Sequence, residues 1–264
     1  MVISKDSVER LGSRTINLIR YMGSVSILVS DTFIRLFQRP FRLRHIVKQM
    51  SRIGVESLPI VSLISLFTGM VLALQSAYQM QKISAEMYIA SLVALSMTRE
   101  LGPVLTALIV AGRCGASITA ELGTMKVTEQ IDALETMATN PTNYLIVPRF
   151  WALFFMLPIL TLYADIIGII GGYTIGRYKL NITHHMYHRM TFEPLSIKDI
   201  FNGLIKSITF AIIICIIACF EGINTKGGAE GVGLATTSSV VRSFILIIAA
   251  DCLLTALLYF MGSG

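Results

Sequence analysis

Five ionisable side chains lie within runs that are otherwise apolar: Arg99, Glu100, Asp165, Lys206 and Asp251. Each isolated charge in hydrocarbon costs about 2.5–3.5 kcal/mol or more, so such residues are expected to pair or to line a polar path. The pairing expected here is Arg99 with Asp251 and Glu100 with Lys206, which would tie three apolar segments together. These pairs would either lock a bundle statically or face a cavity and rearrange. Asp165 sits toward one end of its segment and is expected to reach interfacial water. A second cluster, His184, His185 and His188, has the i, i+4 spacing of metal ligands, and Glu193 is nearby. The run lacks the H-E-x-x-H order, a solvated loop is the simpler reading, and no metal site is assigned. The glycine-rich stretch 227–233 lacks the Lys-Ser/Thr of a phosphate loop and has no strand before it, so it is read as a flexible turn.

Two amphipathic stretches must position these groups. Leu43, Ile46, Val47, Met50 and Ile53 follow helical spacing, with Arg44, His45, Lys48, Gln49 and Arg52 opposite. That pattern predicts a helix lying in a membrane interface and feeding the first span at Pro59. Between residues 128 and 138, Thr128 is placed to cap a short helix. Its apolar face is Ile131, Leu134 and Met137 or Ala138, and its acidic ridge is Glu129, Asp132 and Glu135. Asn140 and Pro141 end it. An acidic ridge is unfavourable beside anionic lipid, so the helix is read as docking into a partner protein rather than resting on the bilayer.

The chain as a whole has 264 residues, 54% hydrophobic and only 14% charged, with a mean hydropathy of +0.69. Soluble domains carry about 25% charged residues, which excludes a soluble enzyme, a disordered chain or a disulfide-stapled domain. Five segments reach the roughly 20 residues a spanning helix needs: about 58–78, 87–112, 150–175, 203–220 and 240–261. A sixth candidate, residues 23–37, is short and holds Asp31 and Arg35, so it is not counted as a span. The domain reading is an interfacial N-terminal region, 1–57, and a five-helix transmembrane region, 58–264. Ten of the 22 basic residues fall within the first 52, among them Lys5, Arg10, Arg39 and Arg42. They place the N-terminus in the cytoplasm and the C-terminus in the periplasm, although Arg177, Lys179, Arg189 and Lys198 then load an outer loop. Aromatic residues do not interleave this basic region, so nucleic acid is not expected. The charged first 21 residues do not read as a cleavable signal. Small residues recur every four positions at Gly69, Ala73, Ala77, at Ala107, Ala111, Gly115 and at Gly168, Gly172, Gly176, the device by which membrane helices approach closely. Cys114, Cys215, Cys219 and Cys252 read as small lipid- or core-facing residues.

The run RELGPVLTALIVAGRCGASITAELGTMKVTEQIDALETM (99–137), followed by PRFWA (148–152), IKSITFAI (205–212) and ADCLLTAL (250–257), resembles the MlaE-type permease family. These are membrane subunits of the MCE-associated phospholipid ABC transporters. The resemblance implies an all-α polytopic membrane protein, with N-terminal interfacial helices, five spans and a cytoplasmic coupling helix after the second. It implies a permease subunit, not itself an enzyme, that moves phospholipid between a bacterial inner membrane and an MCE-domain partner and so maintains outer-membrane lipid asymmetry. It implies a homodimer whose ATP and magnesium are held by a separate ATPase, so no cofactor is expected on this chain. Glu129, Ile131, Asp132, Leu134, Glu135 and Met137 then take the coupling role. The first, second and fifth spans would line a pocket at the dimer axis, with Leu66, Met70, Leu74 and Tyr78 on one side and Leu254 and Leu257 on the other as substrate-binding candidates. The rival reading is an ion-coupled secondary transporter that relays protons through the buried charges, disfavoured by five spans without an inverted repeat.

Overall fold

The computed structural model describes residues 5–36, 43–83 and 85–262, and every regular element among them is helical. Arg39, Arg42 and Phe37 lie outside the described residues. In chain order the elements are α1 (Lys5–Arg35), α2 (Leu43–Ile53), α3 (Leu58–Met80), α4 (Glu86–Val127), α5 (Gln130–Thr136), α6 (Val147–Tyr178), α7 (His184–Phe192), α8 (Ile197–Ile223) and α9 (Gly228–Gly262). Five runs are long and apolar enough to cross a membrane: α2 with α3, then α4, α6, α8 and α9. The chain is an all-α polytopic membrane protein. Residues 23–35 are not a separate span but the second half of the 31-residue α1. Tyr21 on α1 donates to Glu221 Oε1 at 2.9 Å, and the Arg242 guanidinium lies over its ring at 4.4 Å, which pins α1 to α8 and α9. Burial pushes the Tyr21 phenol above its usual range, so it stays a hydrogen donor.

Helix α8 is the centre of the bundle. Its most apolar stretch is 67% buried, against 11% for α9, which leaves a long apolar face on α9 without a partner among the described residues. Phe210, Ile214 and Ala218 of α8 pack with Ala107, Val110 and Ala111 of α4 and with Phe150, Leu153 and Leu157 of α6. Helices α3 and α6 meet through small residues: Ser65, Gly69, Ala73 and Ala77 form a buried stripe. A Cβ on Gly69 would overlap the Gly168 carbonyl, which is backbone and cannot turn aside. Gly69→Val should therefore destabilise the fold by about 3 kcal/mol or more. The expected result is loss of the monodisperse peak in size-exclusion chromatography of detergent extracts.

The second span differs most from the sequence expectation. A helix ending near residue 112 was expected, followed by an inside loop. Instead α4 continues to Val127, 42 residues or about 63 Å. Arg113 does not stop it, because its guanidinium is satisfied by Glu56 at 2.6 Å, Ser57 Oγ at 2.8 Å and the Arg52 carbonyl at 3.1 Å. Two π-helical turns interrupt α4, at Met97–Leu101 and Ala111–Gly115. The first lies just before Pro103, which has no N–H to continue the α ladder; the Gly102 N–H bonds the Met97 carbonyl instead. Asp165 is also placed differently. Gly102 has no side chain, α6 closes against it, and the Asp165 carboxylate is buried in that gap, 6% exposed, rather than reaching interfacial water. In the glycine-rich stretch only Gly227 and Gly228 take left-handed backbone, and the glycines beyond them are helical in α9.

Candidate functional site

The first π turn presents Arg99 and Glu100 from one turn of α4 toward the start of α8 and the end of α9. Lys206 on α8 is 2% exposed, among the most deeply buried large side chains described. Its ammonium donates to Glu100 Oε2 at 2.5 Å and to Thr255 Oγ1 at 2.7 Å. Asp251 Oδ1 is 3.0 Å away but off the line of those bonds, so its attraction is Coulombic. Thr255 sits 3.2 and 3.3 Å from the two Glu100 oxygens and bridges the pair. Three helices thus close on one buried cation. The Glu100–Lys206 pair expected from the sequence is present in this arrangement. The Arg99–Asp251 pair is not: Asp251 faces Lys206, and Arg99 Nε donates to Asp199 Oδ1 at 2.8 Å.

Asp199 was missed, and a signal for it existed. Ser196 and Asp199 are three residues apart at the start of α8 and form a capping box, the carboxylate accepting from the Ser196 N–H at 3.0 Å and hydroxyl at 2.8 Å. Thr255 was also legible as the residue four beyond Asp251, on the same face of α9. Arg99, Glu100, Lys198, Asp199, Lys206 and Thr255 line a cavity of about 380 Å³, joined by Leu258 and Tyr259. Arg99 keeps half its side chain exposed, so its guanidinium retains N–H groups for an anion in that space. Gly203 lets α8 come this close, since a Cβ there would meet the Thr98 carbonyl at 2.5 Å and Pro103 Cγ at 3.4 Å.

The apolar candidates do not converge within one chain. Leu66, Met70, Leu74 and Tyr78 lie on α3, which packs on α6 and α4, whereas Leu254 and Leu257 lie on α9, which packs on α8 and α4. Leu74, Tyr78 and Leu257 are exposed, and Leu254 leans on the core. His184 and His188 stack on each other, with Tyr173 against His184. Among the described residues no three His, Cys, Asp or Glu side chains converge as metal ligands.

Helix α5 differs from the expectation in two respects. Thr128 does not cap it; Thr128 ends α4, its hydroxyl donating to the Thr124 carbonyl at 2.8 Å, and Glu129 makes the corner in left-handed backbone with φ 58°. Nor are Ile131 and Leu134, two positions of its apolar face, open for docking. Ile131 is buried and Leu134 packs on the protein's own core, because the corner folds α5 back against the end of α4. What remains outside is the ridge of Glu129, Asp132 and Glu135, with Met137 beside it, 74% exposed. Lys126 pairs with Asp132 at 2.7 Å at the base of the ridge.

The profile of the family described as "Permease MlaE" matches residues 46–257. A protein of Rickettsia felis named "Probable ABC transporter permease protein" is 47% identical over 249 residues, 94% of this chain and 96% of that protein. The intermembrane phospholipid transport system permease protein MlaE of Haemophilus influenzae is 39% identical over 261 residues, covering 97% and 98% of the two chains. The chloroplastic protein TRIGALACTOSYLDIACYLGLYCEROL 1 of Arabidopsis thaliana is 36% identical over 241 residues, 91% of this chain and 69% of its own.

Proposed function

The chain belongs to the MlaE permease family, and from that premise we propose that it is the membrane subunit of an ABC transporter that carries phospholipid between the inner membrane and an MCE-domain partner, maintaining outer-membrane lipid asymmetry. The observation that carries this reading is the charged cavity of about 380 Å³ set at the end of the apolar, unpartnered face of α9. A molecule with an ionic head and two hydrocarbon tails needs such a juxtaposition. Arg99, Lys198 and Lys206 are balanced by Glu100, Asp199 and Asp251 at the cavity, so a phosphodiester would be held by the remaining N–H groups of the half-exposed Arg99 and by the exposed Lys198 rather than by net charge.

The functional unit is a homodimer. One chain holds the α3 stripe and the α9 stripe on separate sides, and a second copy would bring the two walls across from each other. The exposed face of α9 supports this, because a membrane protein with a transport path between copies must leave that path's wall bare in the isolated subunit. Energy enters through α5, whose acidic ridge fits a basic groove on a separate ATPase that binds ATP and magnesium. The N-terminus and α5 then face the cytoplasm and the C-terminus the periplasm.

Crosslinkable residues at Leu74, Tyr78 and Leu257 test the path directly. In intact membranes all three should capture phospholipid, identified by mass spectrometry of the adduct. Capture equal to that at a control position on the outer face of α6, such as Ile166, would show only bulk bilayer contact and remove the proposal. A second reading, proton-coupled transport through Glu100, Lys206 and Asp251, is favoured only by the burial of Lys206 between two carboxylates. It requires the purified chain to transport in liposomes without any ATPase, whereas the permease reading requires no transport there.

A further inference from the structure

A second polar cavity, of about 400 Å³, lies at the α5 end of the molecule, away from the charge cluster. It opens between the amphipathic α2, the far end of α4 and the start of α6. His45, Lys48 and Arg52 come from α2, Glu121 from α4, and Tyr144 and Arg149 from the π turn Thr142–Ile146 and the first turn of α6. Its charges do not cancel. Arg52 and Arg149 share one carboxylate, Glu121 Oε2, at 3.1 and 3.0 Å. Glu56, also on the wall, is taken by Arg113 at 2.6 Å. Lys48 has no carboxylate partner among the described residues. Three cations against one shared carboxylate leave a surplus of two positive charges.

Arg149 makes this a built site rather than a basic surface. It is 4% exposed, held by a bond from Nη1 to the Leu145 carbonyl at 2.6 Å and by Glu121 on Nη2. Its Nε–H has no acceptor among the described residues. A buried guanidinium N–H without an acceptor is costly, and a phosphate oxygen is the acceptor that guanidinium geometry fits best. The position of the cavity says where such a phosphate comes from. Leu43 and Val47 on α2 are exposed apolar residues beside the basic face, the arrangement of a helix lying at headgroup depth. Basic pockets between helices at that depth hold anionic headgroups.

We propose that this cavity binds the phosphate of an anionic phospholipid, drawn from the leaflet on the α5 side, as a resident lipid distinct from the transported one. The bound headgroup ties α2 to α4 and α6 immediately beside the corner that carries α5. The inference goes beyond the transport reading and survives or fails without it.

The full chain, purified in a zwitterionic detergent, is titrated with phosphatidylglycerol, with phosphatidylethanolamine and with inorganic phosphate while thermal unfolding is followed. Phosphatidylglycerol is expected to raise the midpoint in a saturable way, with phosphatidylethanolamine and millimolar phosphate giving no shift. Lys48→Gln should weaken the phosphatidylglycerol affinity about fivefold, the effect of one basic side chain at an anionic headgroup, and Lys48→Glu more. Because Lys48 is exposed, both variants keep the fold; Arg149→Lys is a less secure probe, since it also loosens Glu121. Equal shifts with phosphatidylethanolamine, a full shift with inorganic phosphate alone, or unchanged affinity in both Lys48 variants would each overturn the proposal. So would loss of the shift in Lys198→Gln rather than in Lys48→Gln, which would move the lipid to the other cavity.

Discussion

Lys206→Met should nearly abolish folded protein, and restoring the fold should require removing negative charge rather than adding packing. Lys206 is the cation on which Glu100, Thr255 and Asp251 converge from two other helices. Methionine matches its length but leaves two carboxylates facing each other where one of them is only 22% exposed. Breaking a fully buried pair by deleting one partner costs about 3–5 kcal/mol; with Glu100 41% and Asp251 22% exposed, the cost expected here lies at the lower end of that range. Fluorescence-detected size exclusion should show Lys206→Met as aggregate. Adding Glu100→Gln and Asp251→Asn to the same chain should return a monodisperse peak, because a neutral site no longer carries that penalty. Wild-type yield and transport in the single variant would show that the cluster holds nothing together. The triple variant then separates the two roles left open by the sequence. Transport by it would make the charges a lock alone, whereas a folded but inactive triple variant would place them in the transport cycle.

The cluster also shows where sequence reasoning reaches its limit. Glu100 and Lys206 were legible as partners because an ionisable side chain within an apolar run must find an opposite charge. The partner of Arg99 was not legible. Pairing depends on the rotation of each helix, and a π turn inserts a residue that turns everything beyond it by about 100°. Nothing in residues 97–101 except the following Pro103 announces that insertion, and the extra residue is what aims Arg99 at the capping carboxylate of α8 while Glu100 points at Lys206. The small-residue stripes were easier to read. Gly69 and Gly168 pack backbone on backbone, and that contact depends on the lack of a side chain rather than on its orientation. The length of α4 was obscured by Arg113, whose neutralisation by Glu56 comes from residues 57 positions away.

Helix α5 illustrates the same limit and yields the second large expected effect. Periodicity identified Ile131 and Leu134 as one face but not what that face meets, and it meets the chain's own core. Substituting charge there would unfold the corner and so say nothing about docking. The informative variant is Asp132→Lys with Glu135→Lys, which reverses two exposed members of the ridge. Asp132 loses only its pair with Lys126, in which both side chains are at least one-third exposed; exposed pairs contribute about 0–1 kcal/mol. The fold should therefore persist, with an unchanged elution profile. Copurification of the proposed ATPase should fall at least about tenfold, since placing like charges across an interface costs several kcal/mol. Reversing matched basic residues on the ATPase should restore it. Full retention of the ATPase by a folded double variant would remove the acidic ridge from the coupling path. Retention of the ATPase by the folded double variant together with its loss in Met137→Lys would mean that the exposed Met137, rather than the acidic ridge, makes the contact.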